Sequence, residues 1–172
     1  MSSIDFVLNI NLRGTLDFVR QMVPIMAEAE AQGPDGERGV IILVSSSAAY
    51  DGQPGQVSPP YNISHDCTQL TATQVSYAAS KGAVRSMTLP LARDLAAYGI
   101  RVVTIAPSLF ESRMTAMMSD KVRKSLERVM EFPVRAGRGP EFAQLVRQGI
   151  ENIMLNGVTI RLDGGMRMPS RL

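Results

Sequence analysis

Gly39-Val40-Ile41-Ile42-Leu43-Val44-Ser45-Ser46-Ser47 is the stretch on which the fold turns. A short apolar, mostly β-branched run stands there between a glycine and a polar triplet. It is short for a helix and too uniformly apolar for a strand with one wet face. The run predicts a strand over 40–44 buried on both faces, which is the habit of parallel sheets covered by helices. Two further runs repeat the pattern. Ile100 to Ala106 (IRVVTIA) reads as a second buried strand, and Gly157 to Leu162 (GVTIRL) as a third, closed by the turn Asp163-Gly164-Gly165.

Helical patterns alternate with these strands. From Phe6 to about Gln32 the apolar residues Phe6, Ile10, Leu16, Val19, Met22, Val23 and Met26 fall at mixed three- and four-residue steps, as one helix face requires. Gly33-Pro34-Asp35-Gly36 is strong turn chemistry and ends that helix. Residues 76–98 read as a second amphipathic helix, bent at Pro90 and closed by Gly99, and Glu141 to Asn152 as a third. A Met-rich, charged stretch fills 114–139. Alternation of this kind argues an α/β fold with right-handed crossovers. The chain opens on a helix and offers only three strands, so the sheet is expected to have an open edge.

Composition narrows the chemistry. The chain has 172 residues, 45% hydrophobic and 20% charged, with a formal net charge of +2, which is ordinary for one globular domain. Such a balance suggests neither a nucleic-acid footprint nor a polybasic membrane anchor, and no apolar run approaches the ~20 residues of a membrane span. His65 and Cys67 are the sole histidine and cysteine, so neither an internal disulfide nor a Cys/His metal cage can be assembled. Acid-base chemistry is left to Tyr, Lys or carboxylates.

Tyr77-Ala78-Ala79-Ser80-Lys81 places a phenol and an ammonium four residues apart on one helix face. A neighbouring cation favours a phenolate, which makes a phenol usable in proton transfer nearer neutrality. On its own the pair has a bland reading as well, a surface tyrosine lying along a lysine stem.

The surroundings of the pair are what distinguish it. YAASKGAV follows a strand ending in Ser45-Ser46-Ser47 and precedes IRVVTIAPS. Asn11-Leu12-Arg13-Gly14 supplies an Asn-x-x-Gly motif, and NGVTIRLDGG ends the ordered part of the pattern. Together these motifs resemble the short-chain dehydrogenase/reductase family, most closely its type-2 3-hydroxyacyl-CoA dehydrogenases. The runs DGQPGQ, MTLPLARDLAAYGIRVVTIAPSLF and NGVTIRLDGGMRM carry the closer likeness. Pro107-Ser108 departs from the family's Pro-Gly.

The resemblance implies an incomplete Rossmann-type parallel sheet, its last three strands with flanking helices, lacking the N-terminal nucleotide-binding half. It implies an NAD(P)-dependent oxidoreductase interconverting a secondary alcohol and a ketone, on a hydroxyacyl-CoA or steroid-like substrate, with NAD favoured. Tyr77 would be the catalytic acid/base and Lys81 its tuner, both meeting the nicotinamide ribose. Ser46 would polarise the substrate carbonyl and Asn11 would hold a water of the proton relay. Pro107, Leu109 and Ser112 would meet the nicotinamide carboxamide. A homodimer or homotetramer would form through helices 4–32 and 76–98, in a mitochondrial or cytoplasmic protein. The alternative is a non-catalytic truncated fragment able only to dock with dehydrogenase subunits. No Gly-x-x-x-Gly-x-Gly follows a strand, so the pyrophosphate end of the cofactor is expected to lack its cradle.

Ser46 and Tyr77 stand 31 positions apart, where one strand-to-helix loop of the family takes about a dozen. Gln56-Val57-Ser58 recurs as Gln74-Val75-Ser76, and removing the 18 residues Val57 to Gln74 restores a spacing of 13. Residues 57–74 therefore read as an inserted loop. Val57-Ser58, Leu70-Thr71 and Gln74 can be encoded as a splice donor, branch point and acceptor in order, consistent with a retained intron. A substrate-lid insertion is the rival reading. Lys121, Arg123, Lys124, Arg128, Arg135 and Arg138 fit either a grip on a CoA phosphate or a solvated helix face. Met114, Met117, Met118 and Met130 fit either an acyl pocket or core.

Overall fold

Ile100–Pro107 (β2) is the axis of the molecule, and a computed structural model describing residues 3–52, 67–116 and 120–167 shows why. Every residue from Ile100 to Ala106 is buried, and the strand is paired in parallel on both sides. Gly39–Val44 (β1) lies along one edge, with Ile41 opposite Val102, and Val158–Leu162 (β3) along the other, with Ile160 opposite Ile105. The sheet order is β1-β2-β3. Burying β2's isoleucines and valines stabilises the fold by about 1.5–3 kcal/mol per side chain.

Before β1 come Ser3–Leu8 (α1), a π-helical turn at Asn9–Arg13, and Gly14–Glu28 (α2). Between β1 and β2 runs Cys67–Leu95 (α3), extended by a tighter turn at Ala96–Tyr98. Arg113–Ala116 (α4), Asp120–Glu127 (α5) and Gly139–Glu151 (α6) precede β3. Val19 from α2, Val84, Ala92 and Leu95 from α3, and Leu43, Ile100 and Val102 from the sheet make one core. The alternate residues of the strands face the other way: Ile42 and Val103 lie against Gly149 of α6. Helices thus cover both faces, as the period-2 geometry of the strands demands. A second cluster of Leu109, Leu126, Met130, Ala136 and Met166 packs beyond the carboxyl end of β2. Met130 is thereby core, while 117–118 lie outside the described residues.

Three expectations need correction. β1 is not buried on both faces: Leu43 is buried, its neighbours are half-buried and Val44 is 45% exposed. The cause is its edge position, since among the described residues β2 is the only strand hydrogen-bonded to it. The first helix ends at Glu28 and not near Gln32: Ala29 is extended, and the turn read at 33–36 is present but stands between the bridged Gln32 and Glu37. The second helix begins at Cys67 and includes 67–74, so the latter part of the segment read as an inserted loop is helical. The earlier part, up to residue 66, lies outside the described residues, as does His65.

Gly99 is needed where it stands. Its φ of 68° closes the turn after α3, and a Cβ there would sit 2.4 Å from the carbonyl oxygen of Gly36. No helix among the described residues is long and apolar enough to cross a membrane.

Candidate active site

The carboxyl ends of β1 and β2 open toward α3, the position where parallel sheets present their functional groups. Immediately after β1 the three serines separate by role. Ser45 and Ser47 are buried, and the Ser45 hydroxyl donates to the carbonyl of Lys81 at 2.7 Å. Ser46 is half-buried and its Oγ accepts the Ala48 N–H at 3.2 Å, capping the short turn Ser47–Ala49. Accepting leaves the Ser46 proton available to a ligand, whereas that of Ser45 is already committed.

On α3, Tyr77 and Lys81 are both half-buried. The Lys81 Nζ donates to the carbonyl of Val44 at 3.0 Å and lies 5.9 Å from the centre of the Tyr77 ring. Burial lowers the ammonium pKa from its ordinary value. Strand and helix are therefore tied twice at one residue: the Lys81 side chain reaches β1, and its carbonyl receives Ser45.

The third contributor is the π-helical turn. There the Gly14 N–H reaches back five residues to the carbonyl of Asn9, and such turns recur at functional sites. Asn11 sits in it and donates from its side-chain amide to Ser80 Oγ at 3.1 Å. Ser80 is fully buried and donates in turn to the carbonyl of Tyr77 at 2.7 Å. The Asn11 carbonyl accepts the Thr15 hydroxyl at 2.8 Å. Asn11 is therefore connected to the turn of α3 that carries Tyr77.

The residues expected to meet the carboxamide are more dispersed in role. Pro107 ends β2, and Leu109 is buried in the second core cluster with its carbonyl accepting the Gly137 N–H at 2.9 Å. Ser112 is exposed and exchanges hydrogen bonds with Thr115, which organises α4. Between them the Ser108 hydroxyl is buried without a hydrogen-bond partner among the described residues.

Three groups that sequence reasoning passed over support this arrangement. Ser80 and Ser45 are small polar residues whose spacing differs in no way from that of surface serines. Arg161 on β3 pairs with Asp51 at 2.5 Å and stacks on Tyr50, whose ring also lies 4.2 Å from the Arg85 guanidinium. That network anchors the segment leaving Ser46 to β3. In the basic stretch, Arg135 is paired with Glu141 at 2.5 Å, while Lys124, Arg128 and Arg138 are exposed.

A groove of about 550 Å³ runs between α2 and β1, lined by Phe18, Met22, Met26 and Val40 to Val44 among others. It is mostly apolar and adjoins β1, the edge strand among the described residues.

The chain is similar to known dehydrogenases and reductases in sequence and in fold. The family model for short chain dehydrogenases matches residues 62–123. The chain is 46% identical over 164 residues to the 3-hydroxyacyl-CoA dehydrogenase type-2 of Rattus norvegicus, covering 94% of this chain and 55% of that protein. The crystal structure of 3-hydroxyacyl-CoA dehydrogenase type-2 from Mycobacterium avium superposes with a TM-score of 0.82 at 31% identity, over 96% of this chain and 57% of that one. A 3-oxoacyl-[acyl-carrier protein] reductase with bound NAD from Brucella melitensis superposes with a TM-score of 0.71 at 26% identity, over 98% and 54%. The chain spans about half the length of the curated relatives it matches.

Proposed function

We propose that the chain acts as a short-chain dehydrogenase, the family whose model matches residues 62–123, and interconverts a secondary alcohol and a ketone, with Tyr77 moving the proton. The observation that carries this reading is the Tyr77–Lys81 pair, tied to the carboxyl end of β1 through Val44. A hydroxyacyl-CoA or steroid-like alcohol is the proposed substrate class, supported by the relative named for hydroxyacyl-CoA.

Each chain residue has work its present bonds allow. Ser46 gives its free proton to the substrate oxygen, because its Oγ only accepts from Ala48. Tyr77 accepts the alcohol proton during oxidation and returns it during reduction. Lys81, with one N–H spent on Val44, has two more to offer ribose hydroxyls, and its charge favours the phenolate. Asn11 holds a relay water. The cofactor, when bound, supplies the hydride acceptor or donor; NAD is proposed over NADP, a relative having been crystallised with NAD. The residues fit the nicotinamide end: the Lys81 donors suit a diol, and the unpartnered Ser108 hydroxyl, with Pro107, Leu109 and Ser112 beside it, suits a carboxamide. The pyrophosphate end has no Gly-rich turn among the residues of this sequence.

Tyr77→Phe tests the assignment. Turnover of a hydroxyacyl-CoA with NAD should fall by roughly 10²–10⁴-fold, the usual worth of a positioned acid/base. Unchanged turnover removes Tyr77 from the mechanism.

One observation favours a second reading. The apolar groove lies beside β1, the edge strand among the described residues. A non-catalytic chain would dock with dehydrogenase subunits through such surfaces and through the helices at 4–32 and 76–98, where Phe6, Phe18 and Ile25 are exposed. In the same way, a homodimer or homotetramer is proposed for the catalytic reading. Titration with NADH decides, because only the catalytic reading requires binding.

A further inference from the structure

We propose that Asn156 is a deamidation site held closed by β2, so that the Asn156-Gly157 bond records openings of the β2–β3 corner as a permanent modification. Of the five asparagines in this sequence, Asn156 alone is followed by glycine. Glycine carries no side chain to keep its nitrogen from the preceding carboxamide carbon. That nitrogen loses its proton and attacks Cγ of Asn156; the new C–N bond displaces the side-chain NH₂, which leaves as ammonia. Water then opens the five-membered imide at either carbonyl. One product is Asp, the other isoaspartate, whose main chain runs through the former side chain. The sum is amide plus water giving carboxylate plus ammonium, with no oxidant or reductant.

Asn156 is exposed, so water and base reach it, yet both reacting groups are tied to one residue. Its Oδ1 accepts the Val102 N–H at 2.9 Å, and the Gly157 N–H donates to the Val102 carbonyl at 2.8 Å. Val102 is fully buried in the central strand. These two bonds act in opposite directions. The first draws electron density from Cγ and favours attack. The second holds the proton that must leave before the Gly157 nitrogen is a nucleophile. The second decides, since a polarised carbon does not react while the nucleophile is absent. Arg101 Nη1 strengthens the closure by reaching the carbonyls of Leu155 at 2.9 Å and Asn152 at 3.3 Å in the same turn. Reaction therefore waits for this turn to lift from β2, as amide hydrogen exchange does.

The two products differ in what they leave behind. An Asp carboxylate still accepts the Val102 N–H, so Asn156→Asp should unfold close to the parent's urea concentration. Isoaspartate lengthens the main chain by one carbon, and the two bonds to Val102 then no longer fit together. β3 follows directly, with Val158 opposite Val103 and Arg161 holding Asp51 beyond the Ser46 turn. None of this rests on the dehydrogenase reading.

The test is incubation of the whole chain at mildly alkaline pH, folded and in guanidinium chloride, with peptide mass spectrometry and enzymatic methylation of isoaspartate as readouts. Asn156 should deamidate at least about 100-fold more slowly in the folded chain, the factor for an opening populated in roughly one molecule per hundred. Arg101→Lys, with fewer donors for this turn, should speed deamidation and Gly157 amide exchange by the same factor. The isoaspartate species, separated by ion exchange, should unfold at lower urea than Asn156→Asp. Similar rates in the folded and unfolded chains would overturn the proposal, as would an Asn156 that stays intact when unfolded. So would faster Gly157 exchange in Arg101→Lys without faster deamidation, or an isoaspartate species as stable as Asn156→Asp.

Discussion

Replacing Arg101 should be among the most damaging single changes to this fold, although it stands in a strand that is apolar apart from it and Thr104. Its side chain is 7% exposed and its guanidinium is saturated. Nε donates to Glu37 Oε1 at 2.8 Å, and Nη2 reaches the same oxygen at 2.7 Å and the carbonyl of Ile150 at 2.8 Å. Nη1 serves the carbonyls of Gly149 and Leu155 at 2.9 Å, with Asn152 at 3.3 Å as a longer, shared contact. Most of these acceptors belong to the last turn of α6 and the residues after it, where helix carbonyls lack partners and the helix dipole favours a cation. Arg101→Met keeps the stem and removes every donor. Gly149, in a buried position, cannot turn to water, while the carbonyls of Ile150 and Asn152, on exposed residues, rehydrate in part. Each orphaned carbonyl costs about 1–3 kcal/mol. With Glu37 losing its partner as well, the sum falls at about 3–5 kcal/mol, the usual cost of breaking a buried pair from one side. Urea unfolding followed by far-UV circular dichroism measures it directly, and a thermal scan should show Tm lower by roughly 6–20 °C for a chain of this size. Arg101→Lys, keeping the charge with three donors, should lose about half as much. A loss below about 1 kcal/mol in the Met variant, or an equal loss in both, would refute the reasoning that donor count and not charge alone holds α6 to β2.

Further outcomes can be read from the same structure. Gly99→Ala should destabilise by more than the roughly 1–2 kcal/mol of a left-handed alanine, because the new Cβ would also meet the Gly36 carbonyl at 2.4 Å; a variant within error of the parent in urea would contradict the turn described. Ser108→Ala should stabilise the cofactor-free chain by about 1 kcal/mol by removing an unsatisfied buried hydroxyl. The same change should weaken NADH binding if that hydroxyl meets the carboxamide. Glu141 is held down to about 2 by its hydrogen bonds from Arg135 and from the Arg138 backbone. Its folded pKa lies below the unfolded 4.5, so its contribution is complete above that value and is lost as pH falls toward about 2. Glu141→Gln should flatten this acid limb of the stability curve; an unchanged limb would remove Glu141 from it.

Much of the architecture was legible because it follows from periodicity. β2 and β3 appear where their apolar runs stand, and α6 where its amphipathic pattern starts, within a residue or two at each end. β1 was legible as a strand but not in its burial. A strand's composition reflects every surface it can pack against, and Val40, Ile42 and Val44 of this edge strand face less protein here than their apolarity suits. The start of α3 was hidden for another reason. Nothing in Cys67 to Gln74 has the apolar spacing of a packed helix, so a helix could not be told there from a loop. Arg101 and Ser80 were invisible altogether: a lone arginine in IRVVTIA looks like a residue at a wet face, and its role depends on Gly149 and Leu155, far along the chain.

The parts of the site also differ in what they depend on. Tyr77, Ser80 and Lys81 receive their ties from Val44 and Ser45 at the end of β1 and from Asn11 in the π-helical turn. α2, α3 and β1 meet in one core through Val19, Val84 and Leu43, so a single packing arrangement sets all three ties. Nothing in that set calls on a residue outside this sequence. Cofactor grip is different on the proposed reading, because the donors that would meet the nicotinamide end are in this sequence and a Gly-rich turn after a strand for the pyrophosphate is not. Geometry at Tyr77 and affinity for NADH are therefore separable properties of this chain. A chain with the ties of Lys81 to Val44 and Ser45 intact and millimolar NADH affinity would, on that reading, have its proton-transfer groups in order and need only saturating cofactor. A chain in which those ties are absent would have lost the arrangement that places Tyr77, and no concentration of cofactor would restore it.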